Sequence, residues 1–210
     1  MIRVLIADDH AVVRQGLRQI LEDTREMLVA GEATNGQEVL AKVRAELWDV
    51  VVLDISMPDQ SGLDILKQLR VEQPSLPVLV LSMYPEDQYA MRVLKAGGSG
   101  YLTKESAPDE LVKAVRKVVS GGRYVSSFLA ERLAFEIGAD PSKLPHETLS
   151  DREFQVLRLI AAGKSVSEIA AELFLSVKTI STYRARLLVK MNLGTNAELI
   201  QYAIQNHLID

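Results

Sequence analysis

Apolar and polar positions change rhythm twice along this chain. Over the first 120 residues, short apolar runs alternate with longer segments in which apolar residues recur every three or four positions. The runs Ile2–Ala7, Leu28–Ala33, Val50–Asp54, Val78–Leu81 and Gly100–Thr103 have strand length, and the segments between them have helix period. This alternation predicts a parallel sheet, because a parallel neighbour needs a crossover long enough to hold a helix. The run Val50-Val51-Val52-Leu53 is apolar on both alternating faces, so it is expected at the centre of the sheet, covered on both sides. Right-handed crossovers then give an α/β doubly wound sheet of five strands, whose ligand site lies beyond the carboxyl ends of the strands.

The rhythm breaks after Val119 at Ser120-Gly121-Gly122-Arg123. A short amphipathic segment around Phe128–Ile137 follows, then a stretch from Gly138 to Pro145 in which Pro141 and Pro145 exclude a continuous helix. Residues 1–121 therefore read as one domain, 122–147 as a linker with a short helix, and 148–210 as a second domain. In the last of these, Ser150–Glu153, Ser165–Glu168 and Thr195–Glu198 have the spacing of capping boxes, in which hydroxyl and carboxylate satisfy each other's backbone N–H groups. Leu149 and Phe154 have the spacing of a hydrophobic staple, and Ser176 caps a further helix. Four short helices are expected, with an all-α core.

Composition narrows the chemistry. The 210 residues contain no cysteine and three histidines, His10, His146 and His207, far apart in the sequence, so disulfides, thiolate chemistry and a transition-metal site are not expected. The first apolar run meets Asp8 and Asp9 too soon to be a signal peptide or a membrane helix, and the cytoplasm is the expected location, with no membrane partner. A net charge of −4 argues against DNA binding until it is divided along the chain. Residues 1–120 hold 14 basic against 18 acidic side chains, 121–147 hold 3 against 4, and 148–210 hold 7 against 6. Within the last segment Lys178, Arg184, Arg186 and Lys190 share a stretch without a single acid, a local basic surface inside an acidic total.

Asp8 and Asp9 end the first strand, Asp54 the third, Ser82 the fourth, and Lys104 follows the fifth. Three convergent carboxylates repel unless a divalent cation neutralises them, and Mg²⁺ suits hard oxygen ligands and a phosphate. A metal on one side, the Lys104 ammonium and the Ser82 hydroxyl on the other, and Asp54 as nucleophile together match a tetrahedral dianion. Singly, each of these residues reads as a helix cap or a solvated charge; jointly they read as a site.

Leu5-Ile6-Ala7-Asp8-Asp9-His10, Asp54-Ile55-Ser56-Met57-Pro58-Asp59-Gln60-Ser61-Gly62, Ser82 and Tyr101-Leu102-Thr103-Lys104 resemble a response-regulator receiver, a flavodoxin-like domain, over all of the first 120 residues. The resemblance implies that Asp54 accepts a phosphoryl group from a histidine kinase. It implies that Asp9, Asp54 and the Ser56 carbonyl ligate Mg²⁺, that Asp8 acts on the metal mainly through water, and that Lys104 holds the phosphoryl group. Ser82 would move toward the phosphate and the Tyr101 ring would turn inward. Ala96-Gly97-Gly98-Ser99-Gly100 is richer in glycine than the family's usual turn, and a loosened face around the fourth helix is expected there.

In the second domain, Ser165–Leu173 reads as one helix, Phe174-Leu175 as a turn and Ser176–Met191 as the next helix. Ile169, Leu173, Leu175, Ile180 and Leu187 supply the apolar contacts of a helix-turn-helix, and Ala170 lets the helices cross closely. The second helix exposes Lys178, Thr179, Ser181, Thr182, Arg184, Ala185, Arg186 and Lys190, cations for phosphates mixed with short side chains that fit near base edges. Leu149-Ser150-Asp151-Arg152-Glu153, Ala162-Gly163-Lys164-Ser165, Glu168-Ile169-Ala170 and Leu175-Ser176-Val177-Lys178-Thr179-Ile180 resemble the LuxR/FixJ-type DNA-binding domain, and with the receiver they point to the NarL/FixJ response regulators. The resemblance implies that Ser181, Thr182 and Ala185 face bases while Lys178, Thr179, Tyr183, Arg184 and Lys190 lie nearer the backbone of double-stranded promoter DNA. It also implies a homodimer when phosphorylated or bound to DNA.

Two other readings compete. Haloacid-dehalogenase-type phosphatases also use an aspartyl phosphate in an α/β crevice, but they need an acid two residues after the nucleophile, where this chain has Ser56. An enzyme acting on another molecule is therefore not expected. A regulator whose helices bind a protein instead of DNA would lack the steep salt dependence that phosphate contacts impose.

Overall fold

The computed structural model describes residues 1–58, 60–106, 108–126, 129–131 and 144–209. The chain forms two compact units, Met1–Gly138 and Ala139–Asp210. In the first, strands β1 (Ile2–Ala7), β2 (Met27–Ala33), β3 (Val50–Asp54), β4 (Val78–Ser82) and β5 (Gly100–Thr103) alternate with helices α1 (Ala11–Glu22), α2 (Gly36–Ala45), α3 (Gly62–Glu72), α4 (Glu86–Lys95) and α5 (Pro108–Val119). The sheet order is β2-β1-β3-β4-β5 and every pairing is parallel. β3 is buried throughout, as a continuous apolar run between two layers of helix demands. β1 lies between β2 and β3, so the winding reverses there and the carboxyl ends of β1 and β3 flank the crevice.

The glycine-rich turn before β5 is tightly packed. A side chain on Gly98 would collide with Val93, and one on Gly100 would come within 2.9 Å of both the Cβ and the carbonyl oxygen of Tyr124. The loosening expected from its composition is not what these contacts describe. Gly100 is instead where the chain beyond α5 returns to the sheet. Tyr124 forms a parallel bridge with Gly100 at the β5 edge, its N–H donates to the Ser99 carbonyl at 2.9 Å, and Ser126 Oγ donates to Glu86 Oε2 at 2.7 Å. This part of the stretch read as linker is docked on the first unit. Of the segment Phe128–Ile137, Leu129–Glu131 are helical; the remainder, with Pro141, lies outside the described residues.

The second unit opens with a 3-10 turn, Pro145–Thr148, and holds α6 (Asp151–Ala161), α7 (Val166–Glu172), α8 (Val177–Met191) and α9 (Asn196–Gln205). All three capping boxes form, at Ser150, Ser165 and Thr195, and the Ser176 hydroxyl accepts the Thr179 N–H at 3.0 Å. Leu149 and Phe154 are buried together with Val156, Leu157, Ile169, Ile180, Leu187 and Leu199 in the helical core. Among the described residues no helix is long and apolar enough to cross a membrane.

Candidate phosphoacceptor crevice and nucleic-acid interface

The two central strands deliver the acids. Ala7 pairs with Leu53, so Asp8 and Asp54 emerge side by side, and both are almost completely buried. Lys104 lies just beyond β5, and its backbone N–H donates to the Ser82 carbonyl at 2.7 Å. From there its Nζ reaches Asp54 Oδ2 at 2.8 Å and Asp8 Oδ2 at 2.6 Å. The other Asp54 oxygen accepts the Ser56 N–H at 3.1 Å. The loop that follows folds back so tightly that a side chain on Gly62 would lie 2.2 Å from the Asp54 carbonyl oxygen; only glycine starts α3 here.

Burial pushes the Asp54 carboxyl above its ordinary range, with the Lys104 ammonium acting against that and the nearby Asp8 adding to it. Burial alone would lower Lys104; Asp54 and Asp8 outweigh it and hold the ammonium above its ordinary value. One ammonium faces three carboxylates, because Asp9 joins Asp8 and Asp54. Asp8, Asp9, His10 and Asp54 each offer a ligand atom, and these atoms lie within 4.8 Å of one another. An excess of hard oxygen donors over buried cations is the environment a divalent cation fits. The acidic pocket of Asp8, Asp9 and Asp54 is typical of the Mg²⁺ site of a receiver. His10, scattered from the other histidines in sequence, is a member of this cluster, its Nδ1 2.6 Å from Asp9 Oδ1.

Ser82 and Tyr101 are linked through a residue that the strand pattern does not single out. The Ser82 hydroxyl accepts the Tyr84 N–H at 3.2 Å, and the Tyr101 hydroxyl donates to the Tyr84 carbonyl at 2.6 Å. Tyr101 is 1% exposed, so its ring is buried in this structure. Tyr84 stacks on Tyr89 of α4 with ring centroids 4.7 Å apart, connecting the pair to that helix.

In the second unit, Leu173–Ser176 joins α7 to α8, with Phe174 in the left-handed region at φ 53°. Ile180, Leu187 and Met191 of α8 are buried, while Lys178, Ser181, Thr182, Ala185, Arg186 and Lys190 are exposed; Thr179, Tyr183 and Arg184 are half-buried. The spacing of Lys178, Ser181, Thr182, Ala185 and Arg186 makes one ridge of the helix. Two of the expected cations have partners inside the unit: Arg184 Nε donates to Asn196 Oδ1 at 2.6 Å, and Lys190 Nζ to the buried Glu153 Oε2 at 2.7 Å. The Ser181 and Thr182 hydroxyls donate to the Val177 and Lys178 carbonyls, which leaves them as acceptors on the ridge.

Comparison with known proteins agrees with both constellations. Residues 4–116 match the response regulator receiver domain, and residues 147–203 match the bacterial regulatory proteins of the luxR family. The chain is 38% identical over 209 residues to the response regulator UvrY of Escherichia coli, covering 99% of this chain and 96% of that one. It is 37% identical over 210 residues to the response regulator GacA of Pseudomonas protegens, covering 100% and 99%. Among solved structures, RcsB of Salmonella enterica serovar Typhimurium, bound to promoter rprA in the presence of phosphomimetic BeF3-, is similar with a TM-score of 0.66 and 31% identity, over 96% of this chain and 97% of that one. The response regulator ChrA of a heme-sensing two-component system is similar at 0.54 and 32%, over 99% and 98%. These families are regulators of transcription and not enzymes that turn over another substrate. The chain belongs to the two-component response regulators, as a member that joins a receiver to a LuxR-type helix-turn-helix and regulates transcription.

Proposed function

We propose that phosphorylation of Asp54 by a histidine kinase controls the binding of α8 to promoter DNA. The observation that carries this reading is the Lys104 ammonium held between two buried carboxylates, 2.8 Å from Asp54 and 2.6 Å from Asp8. A cation fixed there is ready to pair with a phosphoryl oxygen once Asp54 carries one. In the transfer, an Asp54 carboxylate oxygen attacks phosphorus, the P–N bond of the kinase phosphohistidine breaks with its electron pair left on the imidazole, and an acyl phosphate forms on Asp54. Asp9, Asp54 and the Ser56 carbonyl would hold Mg²⁺, with Asp8 acting mainly through water. When bound, the ion neutralises charge on the phosphoryl oxygens.

Ser82 accepts from the Tyr84 N–H and so keeps its own proton to donate to the phosphoryl group. Drawn toward that group, it pulls on Tyr84, whose carbonyl accepts from the Tyr101 hydroxyl and whose ring stacks on Tyr89 of α4. Phosphorylation thereby shifts the population toward a homodimer that grips paired half-sites in the cytoplasm. At each half-site Ser181, Thr182 and Ala185 face bases, Lys178, Thr179, Tyr183 and Arg186 face phosphates, and Arg184 and Lys190, held by Asn196 and Glu153, support the ridge from its flanks.

The test is to incubate the full chain with acetyl phosphate and MgCl₂, follow intact mass, and measure promoter affinity by fluorescence anisotropy. Wild type gains one phosphoryl group and binds DNA more tightly, while Asp54→Asn does neither. An equal response of Asp54→Asn would sink the reading, and an affinity flat in salt would favour a protein partner for α8.

A further inference from the structure

Arg14 has no part in the phosphotransfer described above, yet it touches the same loop. It lies on α1, and its guanidinium makes two contacts in different directions. Nη1 donates to the carbonyl oxygen of Asp8 at 2.8 Å, and Nε pairs with Glu32 Oε2 at 2.9 Å. Its side chain is 13% exposed and that of Glu32 31%, so both contacts are partly buried. Glu32, on β2, is also held by Arg18 Nη2 at 2.8 Å, and hydrogen bonds from Arg18 and Arg14 keep its carboxyl below the usual range. One end of Arg14 is therefore anchored to the sheet, and the other grips the peptide between Asp8 and Asp9.

That peptide joins two carboxylates that repel each other. The peptides on either side are held by the Asp8 N–H on the Ala33 carbonyl at 3.1 Å and the His10 N–H on Asp8 Oδ1 at 2.8 Å. Neither holds the Asp8 carbonyl, whose direction sets the plane of the peptide from which Asp9 departs. Arg14 does.

We propose that Arg14 is a positioning residue for the metal-binding loop, holding the Asp8 carbonyl so that Asp8 and Asp9 present their carboxylates together to a divalent cation. The proposal rests on the reading that this crevice binds Mg²⁺. It makes a prediction opposite in sign to simple electrostatics. Removing a cation beside an anionic site strengthens binding of a divalent cation if charge alone acts; loosening the loop weakens it.

MgCl₂ titrated into the full chain, followed by amide NMR shifts, separates the two. Arg14→Gln is expected to bind Mg²⁺ about tenfold more weakly, the loss typical of removing a group that orients a ligand. Arg18→Gln removes the same charge from the same Glu32 without touching Asp8, and it binds as wild type or more tightly. Arg14→Lys keeps the charge but offers one donor group for two partners, and falls between wild type and Arg14→Gln. Unchanged or tighter binding by Arg14→Gln overturns the proposal; should that variant fail to fold, wild-type affinity in Arg14→Lys overturns it equally. Phosphorylation by acetyl phosphate gives a second readout, since high MgCl₂ restores the Arg14→Gln rate when only metal affinity has fallen. A rate still low at saturating MgCl₂ counts against positioning. If wild type fails to saturate, or Asp9→Asn binds Mg²⁺ as well as wild type, the metal reading itself falls.

Discussion

Glu153 gathers three donors on one oxygen. Its Oε2 accepts the Ser150 N–H at 2.8 Å, the Ser150 hydroxyl at 2.8 Å and Lys190 Nζ at 2.7 Å, with the side chain 3% exposed. Burial alone would raise this carboxyl, but Lys190 and Ser150 outweigh it and hold it below its ordinary value of 4.5. A carboxyl depressed by folding adds stability above its unfolded pKa, and loses it as pH falls through the folded value. Glu153→Gln should therefore lower the stability of the helical unit by roughly 1–3 kcal/mol at neutral pH. The gap between variant and wild type, measured by circular dichroism melts from pH 7 downward, should close below the ordinary carboxylate range. A gap independent of pH would assign the effect to packing. Phe174 runs the other way. It holds φ 53° and is 67% exposed, so Phe174→Gly removes left-handed strain at little loss of packing and should stabilise this unit by about 1 kcal/mol in the same melts.

At the scale of elements, local rules carry far. The five strands fall where apolar runs of strand length occur, and the three Ser/Thr-x-x-Glu boxes each start a helix, because both signals are contained within a few residues. Asp8, Asp54 and Lys104 were legible for a related reason: a parallel sheet delivers the residues at its strand ends to one edge. Arg14 and Tyr84 were not, since each acts on or through a backbone carbonyl, and a contact to a main-chain oxygen leaves no pattern in side-chain chemistry. The docking of Tyr124 was hidden too. Its determinant is the missing side chain of Gly100, which as sequence reads only as flexibility. Gly100→Ala drives a methyl into Tyr124 and should destabilise the receiver by about 1–3 kcal/mol. Urea unfolding followed by the fluorescence of Trp48, the chain's one tryptophan, isolates that unit. A midpoint equal to wild type would show that the Tyr124 bridge contributes nothing.

For the molecule as a whole, charge sets a limit on how the switch works. The first 120 residues already hold 18 acids against 14 bases, and an acyl phosphate of roughly two negative charges in place of the Asp54 carboxylate adds about one more. Long-range attraction to DNA therefore falls on phosphorylation, and tighter binding has to come from a change in the population of binding-competent states. On the proposed reading, contact with DNA falls to the exposed cations of α8. Lys178→Ala should reduce the slope of log affinity against log salt by about 0.9 for each half-site contacted. Lys190→Ala, which deprives Glu153 of its ammonium, should lower the melting temperature and leave the slope near that of wild type; a slope loss equal to that of Lys178→Ala would return Lys190 to the phosphate backbone.

The bridge between Tyr124 and Gly100 bears on how receivers and output domains are exchanged. β5 is the last strand of the sheet, and a bare strand edge is a template for pairing with other chains. The residue that pairs with the start of that edge, Tyr124 at Gly100, comes after the helix break at Gly121-Gly122, on the side a recombination event would assign to the output domain. A chimaera joined at that break loses the one bridge to the β5 edge found among the described residues, whereas one joined beyond Ser126 keeps that bridge and the Ser126 contact to Glu86. The transferable module in this protein ends several residues beyond α5.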